Sequence, residues 1–310
     1  MSRIWESLFS KNGLAAQKIA KELIKVKKEE RIPRINDFEK KLGLSRGTVQ
    51  GALKVLEDLR AIQLESRGHL GTFLIYKDIH ILKEIAGVGP IMGAMPLPYS
   101  PNYEGLATGL MEQSRWLQED VNLAYMRGSK QRIEGLKSRR YDFIVMSQLS
   151  AEEEMKHDQS LEIAVNFGKG TYVSSHKVFL ASSEHNKIKG GMKIGIDYTS
   201  IDQYKLTLLE CEQIDVELIP INYMQLFENL QNGILDAAVW NSDEIRAHKA
   251  FKTIDFQNAE AKEIANQASA SVLLIEKDRI EVKEFLHRLD KREILDIQQQ
   301  VVNKEKLPQY

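Results

Sequence analysis

The sequence predicts an α/β protein in two parts, a small helical head closed by a β-hairpin and a larger two-lobed α/β body. Three observations carry this. The chain has 310 residues, more than one core ordinarily holds, so two or three domains are expected. Its formal charge of −1 hides an asymmetry: residues 1–76 hold 15 basic and 9 acidic side chains, and the remainder holds 28 and 35. From Pro90 onward, apolar runs alternate with helical segments, and they do so twice. A basic head on an acidic body points to a polyanionic partner for the head alone.

The head is read element by element. Ala16, Ile19, Ala20 and Leu23 lie at i, i+3, i+4 and i+7, one face of a helix expected over Gly13–Glu29. Pro33 ends it. Asn36 stands three residues before Glu39, a capping arrangement that predicts a short helix from Asp37 to Leu42. Gly43 suits the left-handed C-cap, and Ser45 caps a third helix to about Leu59 with Val49, Ala52, Leu53 and Leu56 inward. Ala61–Glu65 and Leu70–Ile75 read as two strands around the turn-rich Ser66-Arg67-Gly68-His69. Helix, helix, tight turn, helix and hairpin is the order of an α+β winged helix-turn-helix, expected over residues 1–76, with 77–89 as a linker.

The third helix presents Arg46, Gln50 and Lys54 outward at i, i+4 and i+8. Arginine and glutamine side chains match guanine and adenine edges in the major groove, and lysine suits phosphate. Gly47 and Gly51 each cost roughly 1 kcal/mol relative to alanine in a helix. They either let the backbone approach a groove wall or are tolerated on a surface helix. With Arg34, Ser45, Thr48 and the wing residues Arg67 and His69, these residues form the expected contact set for a double-stranded DNA operator.

Ile32-Pro33, the run Phe38–Val49, Ala52-Leu53, Leu56-Glu57 and Gly71-Thr72-Phe73 resemble the DNA-binding head of GntR-type bacterial regulators. Asn36 stands where that family commonly carries a basic residue, and Gln50 where it carries arginine. The resemblance therefore implies DNA binding but supplies no operator sequence.

In the body, Asp142–Met146 precedes Asp236–Trp240 by 94 residues, and at the same offset Ile133, Glu134 and Leu136 precede Phe227, Glu228 and Leu230. The first strands of the two units are expected at Ile91–Leu97 and Lys193–Asp197. Two such units resemble the type 2 periplasmic-binding-protein fold, a two-lobed α/β architecture that encloses a small ligand. On that resemblance residues 90–310 form the ligand-binding domain, with lobe 1 over 90–180 and 265–310 and lobe 2 over 181–264. Residues 171–185 and Ala270–Ile275 are read as crossing strands, and the tail after Glu281 is expected to pack on lobe 1. Gly93–Tyr99, Tyr103–Ala107, Met126-Arg127-Gly128, Tyr141-Asp142 and Trp240-Asn241 resemble hallmark segments of the YhfZ family, GntR-like transcriptional regulators with a binding-protein-like body.

Ligands of open α/β sheets sit beyond the carboxyl ends of strands, where helix N-termini offer free N–H groups. Those positions give Tyr99, Ser100, Tyr103, Arg127, Gly128, Ser129 and Ser147 in the first unit, and Tyr198, Thr199, Ser200, Trp240 and Asn241 in the second. Arg127 suits a bidentate clamp on a carboxylate or phosphate, though an ordinary surface ion pair is its alternative. For Ser129 and Thr199 the alternative is plain N-capping; for Tyr99 and Trp240 it is closing the lobe interface.

No cofactor, metal site or catalytic residue is expected. Seven histidines (69, 80, 157, 176, 185, 248 and 287) never pair at metal-ligand spacing, and the single Cys211 excludes an internal disulfide. Gly87-Val88-Gly89 precedes a strand instead of following one, so it is no dinucleotide loop. Met1-Ser2-Arg3-Ile4-Trp5-Glu6 leads into no apolar stretch, so a cytoplasmic protein without a membrane partner is expected. The sequence thus points to a homodimeric regulator, not an enzyme, controlled by a small anionic effector. The rival is an enzyme whose α/β body acts on a small metabolite, with the head as an accessory module.

Overall fold

The structure, a computed structural model, describes residues 10–243 and 251–310 apart from the side chain of Tyr223. The Met1–Glu6 run and His248 lie outside the described residues. The chain divides into two compact units, Met1–Gly89 and Pro90–Tyr310.

In the first unit, helix α1 (Lys11–Ile24) starts at Ser10, whose Oγ accepts from Gly13 N at 3.0 Å, and buries Ala15, Ala16, Ile19, Ala20 and Leu23. It is shorter than its sequence pattern predicts, and Glu29 already sits at φ 67°. Helix α2 (Ile35–Leu42) opens two residues earlier than expected. Its cap is not Asn36: Asp37 reaches back to accept from Arg34 N at 2.9 Å. Gly43, at φ 66°, closes it, and α3 (Arg46–Asp58) follows with Val49, Ala52 and Leu56 buried. Strands β1 (Ile62–Ser66) and β2 (Thr72–Lys77) pair antiparallel around a turn that needs Gly68 at φ 57° and Gly71 at φ 100°.

Residues 77–89 are not a linker. Lys77 completes β2 and donates from Nζ to Ile24 O and Val26 O, both at 2.7 Å. Asp78 then caps helix α4 (Ile79–Ala86), and Gly87 at φ 64° ends it. Leu82 and Ala86 are fully buried in the same core as Ile19 and Leu23. The apolar spacing Ile79, Leu82, Ala86 and the glycine behind it carried that signal.

The second unit holds two five-stranded sheets. Lobe 1 has the order β4-β3-β5-β12-β6, from β3 (Ile91–Met95), β4 (Val121–Tyr125), β5 (Phe143–Ser147), β6 (Leu161–Gly168) and β12 (Ser271–Glu276). Lobe 2 has the order β11-β7-β10-β8-β9, from β7 (His176–Leu180), β8 (Lys193–Ile196), β9 (Glu217–Pro220), β10 (Ala237–Asn241) and β11 (Lys252–Ile254). In each, the first three strands of the repeat are parallel, and the strand arriving from the crossing runs antiparallel. The lobe limits shift accordingly. Val178-Phe179-Leu180 belongs to lobe 2, because β7 pairs with β10 and β11, and the crossing itself is 169–175.

The repeat extends to hydrogen bonds. Asp142 N donates to Met92 O, and its Oδ2 accepts from Met92 N at 2.8 Å; Asp236 does the same with Lys193, also at 2.8 Å. Each carboxylate fastens the start of its lobe's first strand. Helix α5 (Pro101–Trp116) packs on the tail helix α12 (Lys291–Val302), while α11 (Ile280–Arg288) packs on β6, all in the lobe 1 core. A Cβ on Gly105 would stand 2.7 Å from Gln298 O, so α5 and α12 approach backbone to backbone.

Candidate functional site

On the first unit, α3 turns Arg46, Gln50 and Lys54 outward, all exposed. Ser45 Oγ accepts from Thr48 N and lies 2.8 Å from Thr48 Oγ1, so these two hydroxyls cap the helix and stand at its outer end. A Cβ on Gly51 would lie 2.7 Å from Asn12 Nδ2 of α1, so a larger residue there would displace that side chain. Gly47 has open space around it. Arg34 is exposed just before α2. In the wing, Arg67 pairs with Glu65 at 2.7 Å and lies 4.5 Å over the Phe73 ring, while His69 is exposed on the turn.

Between the lobes of the second unit lies a cavity of about 400 Å³. It is lined by Tyr99, Tyr103, Arg127, Gly128, Ser129, Thr199, Ser200, Trp240 and Asn241 of the expected set. Three expected residues stand elsewhere. Ser100 is buried and caps α5 by accepting from Tyr103 N. Ser147 is buried, caps α7 (Gln148–His157) and donates to Asp202 Oδ1 at 2.7 Å. Tyr198 is exposed, its ring 5.6 Å from that of Tyr204.

Attention to strand ends alone passes over the residues that matter most here. Arg132 lies one turn inside helix α6 (Ser129–Lys137) and is 3% exposed. Its Nη1 donates to Met126 O at 3.0 Å and Nη2 to Tyr172 OH at 3.3 Å, while Nε, facing no acceptor among the described residues, remains unspent. Ser129 Oγ and His176 Nδ1 are likewise buried without a partner among the described residues. All three residues line the cavity. A buried polar group left unpaired costs about 1–3 kcal/mol, so Ser129 and Arg132 on lobe 1, with His176 at the start of β7 on lobe 2, mark a surface built to be covered. Gly128 is required at the entrance to α6: its φ is 78°, and a Cβ there would collide with Gln131 Oε1.

Across the cavity stand Asp197 and Asp202. Asp197 Oδ1 accepts from Thr199 N at 2.9 Å and Oγ1 at 2.6 Å, so Thr199 serves the aspartate. Asp202, second residue of α8 (Ile201–Glu210), accepts through Oδ1 from Ser147 at 2.7 Å and Ser150 at 2.8 Å, both in lobe 1. Burial pushes its carboxyl up to about 6, against the pull of the two hydroxyls and of Arg132. Burial also holds the His176 imidazole down at about 4, hence neutral at pH 7, and raises the phenols of Tyr103 and Tyr172. Tyr99, Tyr103 and Tyr172 pack edge to face at 5.3 and 5.1 Å between ring centres, an aromatic wall beside the charges.

A helix-turn-helix unit and a two-lobed body with a central cavity define the class: a helix-turn-helix head joined to a domain with the type 2 periplasmic-binding-protein-like fold. The helix-turn-helix family model matches residues 27–74, and the YhfZ C-terminal domain model matches 78–310. The Escherichia coli (strain K12) protein YhfZ is 31% identical over 310 residues, covering 98% of this chain and 99% of that one. The chain belongs to the YhfZ family. The crystal structure of YhfZ from Shigella flexneri aligns with a TM-score of 0.61 at 31% identity, over 71% of this chain and 93% of that one. The periplasmic aliphatic sulphonate binding protein SsuA of Escherichia coli shares the fold, with a TM-score of 0.53 at 12% identity over 70% and 76% of the two chains. Among the described residues, no helix is long and apolar enough to cross a membrane.

Proposed function

We propose that this protein is a cytoplasmic, homodimeric, GntR-like transcription regulator, and that a small ligand carrying a carboxylate or phosphate in the cleft sets its affinity for DNA. One observation carries the reading: a head with Arg46, Gln50 and Lys54 exposed on its third helix shares a chain with a cavity whose wall holds the unspent buried donors of Ser129 and Arg132. Arg127 beside them supplies the planar fork that recognises such anions. Ligand binding between the lobes favours one lobe arrangement, and the dimer transmits it as a change in the spacing of two heads over two half-sites.

The test has two arms. Arg46→Ala is expected to weaken binding to the protein's own promoter DNA by about 1–3 kcal/mol and to relax base preference, the scale of one lost base contact. Arg127→Ala is expected to cost about 2–5 kcal/mol of ligand affinity and abolish the response, with DNA affinity of the ligand-free protein unchanged. Native mass spectrometry of the purified protein identifies a bound metabolite returned unchanged. Unaltered operator preference in Arg46→Ala sinks the first arm, and consumption of the metabolite sinks the regulator reading in favour of catalysis.

A further inference from the structure

Four carboxylate or guanidinium side chains line the cavity, and they are segregated by lobe: Arg127 and Arg132 on lobe 1, Asp197 and Asp202 on lobe 2. The repeat shows how this arises. Met126 N donates to Met95 O in lobe 1, and Ile221 N donates to Ile196 O in lobe 2, which aligns the strand ends of the two units. In that register Arg127 corresponds to Asn222 and Asp197 to Pro96. The helices align by their caps and buried faces: Ser100 and Ser200 cap equivalent helices, and Ile133 and Leu136 match Phe227 and Leu230. Asp202 then corresponds to Asn102, and Arg132 to Leu226. None of the four charges has a charged residue at the equivalent place in the other lobe, so one scaffold carries guanidiniums on lobe 1 and carboxylates on lobe 2, with Asp202 reaching across to Ser147 and Ser150 and into the field of Arg132.

A ligand with only negative groups would satisfy Arg127 and Arg132 but place its far end against two aspartates, and one with only positive groups would meet two guanidiniums. In a cleft that excludes water, like charges brought together cost several kcal/mol. The walls are matched by a molecule of zero net charge with separated poles. Each aspartate uses only Oδ1 among the described residues, leaving Oδ2 as a second acceptor, which suits the several N–H donors of a primary ammonium. The buried unspent donors, Ser129 Oγ and Arg132 Nε, stand on the opposite wall at the N-terminus of α6, where a carboxylate is favoured. The desolvation that pushes Asp202 up is relieved once an ammonium pairs with it.

We propose that the cleft binds an amino acid, with its carboxylate against Arg127, Arg132 and Ser129 of lobe 1 and its protonated amine against Asp197 and Asp202 of lobe 2. The side chain lies along Tyr99, Tyr172 and Trp240. Because each pole belongs to a different lobe, one small molecule holds the two lobes together. The inference rests on the reading of the cleft as a ligand site and narrows its chemistry.

The test is calorimetric titration of the full wild-type chain with matched triplets: each protein amino acid in both enantiomers, its deaminated acid and its decarboxylated amine. At least one amino acid is expected to bind, with both of its matched analogues weaker by about a hundredfold or more, since a site built to pair a polar group rejects the analogue that lacks it. Asp197→Asn and Asp202→Asn are expected to shrink the preference for the amino acid over its deaminated acid about tenfold or more; Arg127→Ala is expected to weaken both. An acid that binds as tightly as its amino acid overturns the inference and leaves the anion-controlled regulator standing. Failure of every amino acid, acid and amine to bind also overturns the inference; failure of a parallel series of phosphate monoesters to bind overturns the anion-controlled regulator as well. Should Asp202→Asn fail to fold, the wild-type triplets and Asp197→Asn decide the matter alone.

Discussion

In lobe 1, the strand that follows the first helix delivers Arg127 and, one turn into α6, Arg132; at the corresponding places in lobe 2 stand Asn222 and Leu226. The contacts across the interface are reciprocal in position but not in kind. Asn102 of lobe 1 donates to Asp243 of lobe 2 at 3.2 Å, and Asp202, its counterpart, takes hydroxyls from Ser147 and Ser150 of lobe 1. The sheets, the strand-fastening aspartates and the helix caps are shared, because they satisfy backbone and core. The side chains facing the cavity are not shared, because nothing in the fold requires them to be. Where two repeats diverge at positions the scaffold leaves unconstrained, the divergence marks what the site recognises.

The sharpest way to break this comparison is to write the residue of one lobe into the other. Arg132→Leu places the lobe 2 residue in lobe 1, removing the buried guanidinium while keeping an apolar stem. Ligand affinity is expected to fall by about 2–5 kcal/mol, the range for deleting one partner of a desolvated charge pair. Titration with the amino acid identified in the matched series measures it. A loss smaller than tenfold would mean that Arg132 is held for Met126 and Tyr172, and that the charge asymmetry of the lobes does not reach the ligand.

Next in size is the ionisation of Asp202. Its carboxyl is pushed from an unfolded value near 3.8 up to about 6, chiefly by burial. The folded protein therefore holds this proton more tightly than the unfolded chain. Its contribution to stability, about 3 kcal/mol, is fully present below pH 4 and is lost as pH rises through 6. The hydroxyls of Ser147 and Ser150, the Arg132 guanidinium and the Tyr172 phenol face the same region and do not titrate in this window; His176, held down at about 4, gives an opposite slope that is common to wild type and variant and drops out of their difference. Asp202→Asn is expected to gain stability relative to wild type between pH 4 and 7, read from urea midpoints in the absence of ligand. A pH-independent difference would place Asp202 in a wetter setting than its burial implies.

How much of this was legible in the residues depends on the range of the interactions involved. The 94-residue offset between Asp142–Met146 and Asp236–Trp240 foretold β5 and β10, because buried strands and the acidic turn before them are local patterns. Nine of the twelve expected cleft residues line the cavity, because strand ends and helix starts are local too. The lobe membership of Val178-Phe179-Leu180 was not legible: it is decided by pairing with β10, some sixty residues away. Arg132 lies inside a helix, where an arginine ordinarily reads as surface, and Asp202 is a first-turn acid of the sort that complements a helix dipole, so neither stands out in the sequence. Helix α4 has a legible apolar spacing, but its place in the head's core depends on Leu23, far upstream.

The smallest expected effect tests the shared scaffold. Asp142 and Asp236 fasten equivalent strands through the same carboxylate-to-amide bond, but Asp142 also pairs with Arg279 of the tail, and among the described residues Asp236 has no such partner. Asparagine keeps a carbonyl oxygen that accepts from the strand amide, so Asp236→Asn is expected to change stability by less than about 0.5 kcal/mol. In Asp142→Asn the same bond survives, while the half-buried Arg279 loses its counter-charge and faces an amide. That variant is expected to be about 1 kcal/mol less stable than Asp236→Asn, the upper range for a partly exposed pair. Chemical denaturation of the two variants side by side measures the difference. Equal costs would show that the Arg279 pair contributes nothing and that the two aspartates are interchangeable; a larger cost for Asp236→Asn would show that its lobe depends on the carboxylate charge itself.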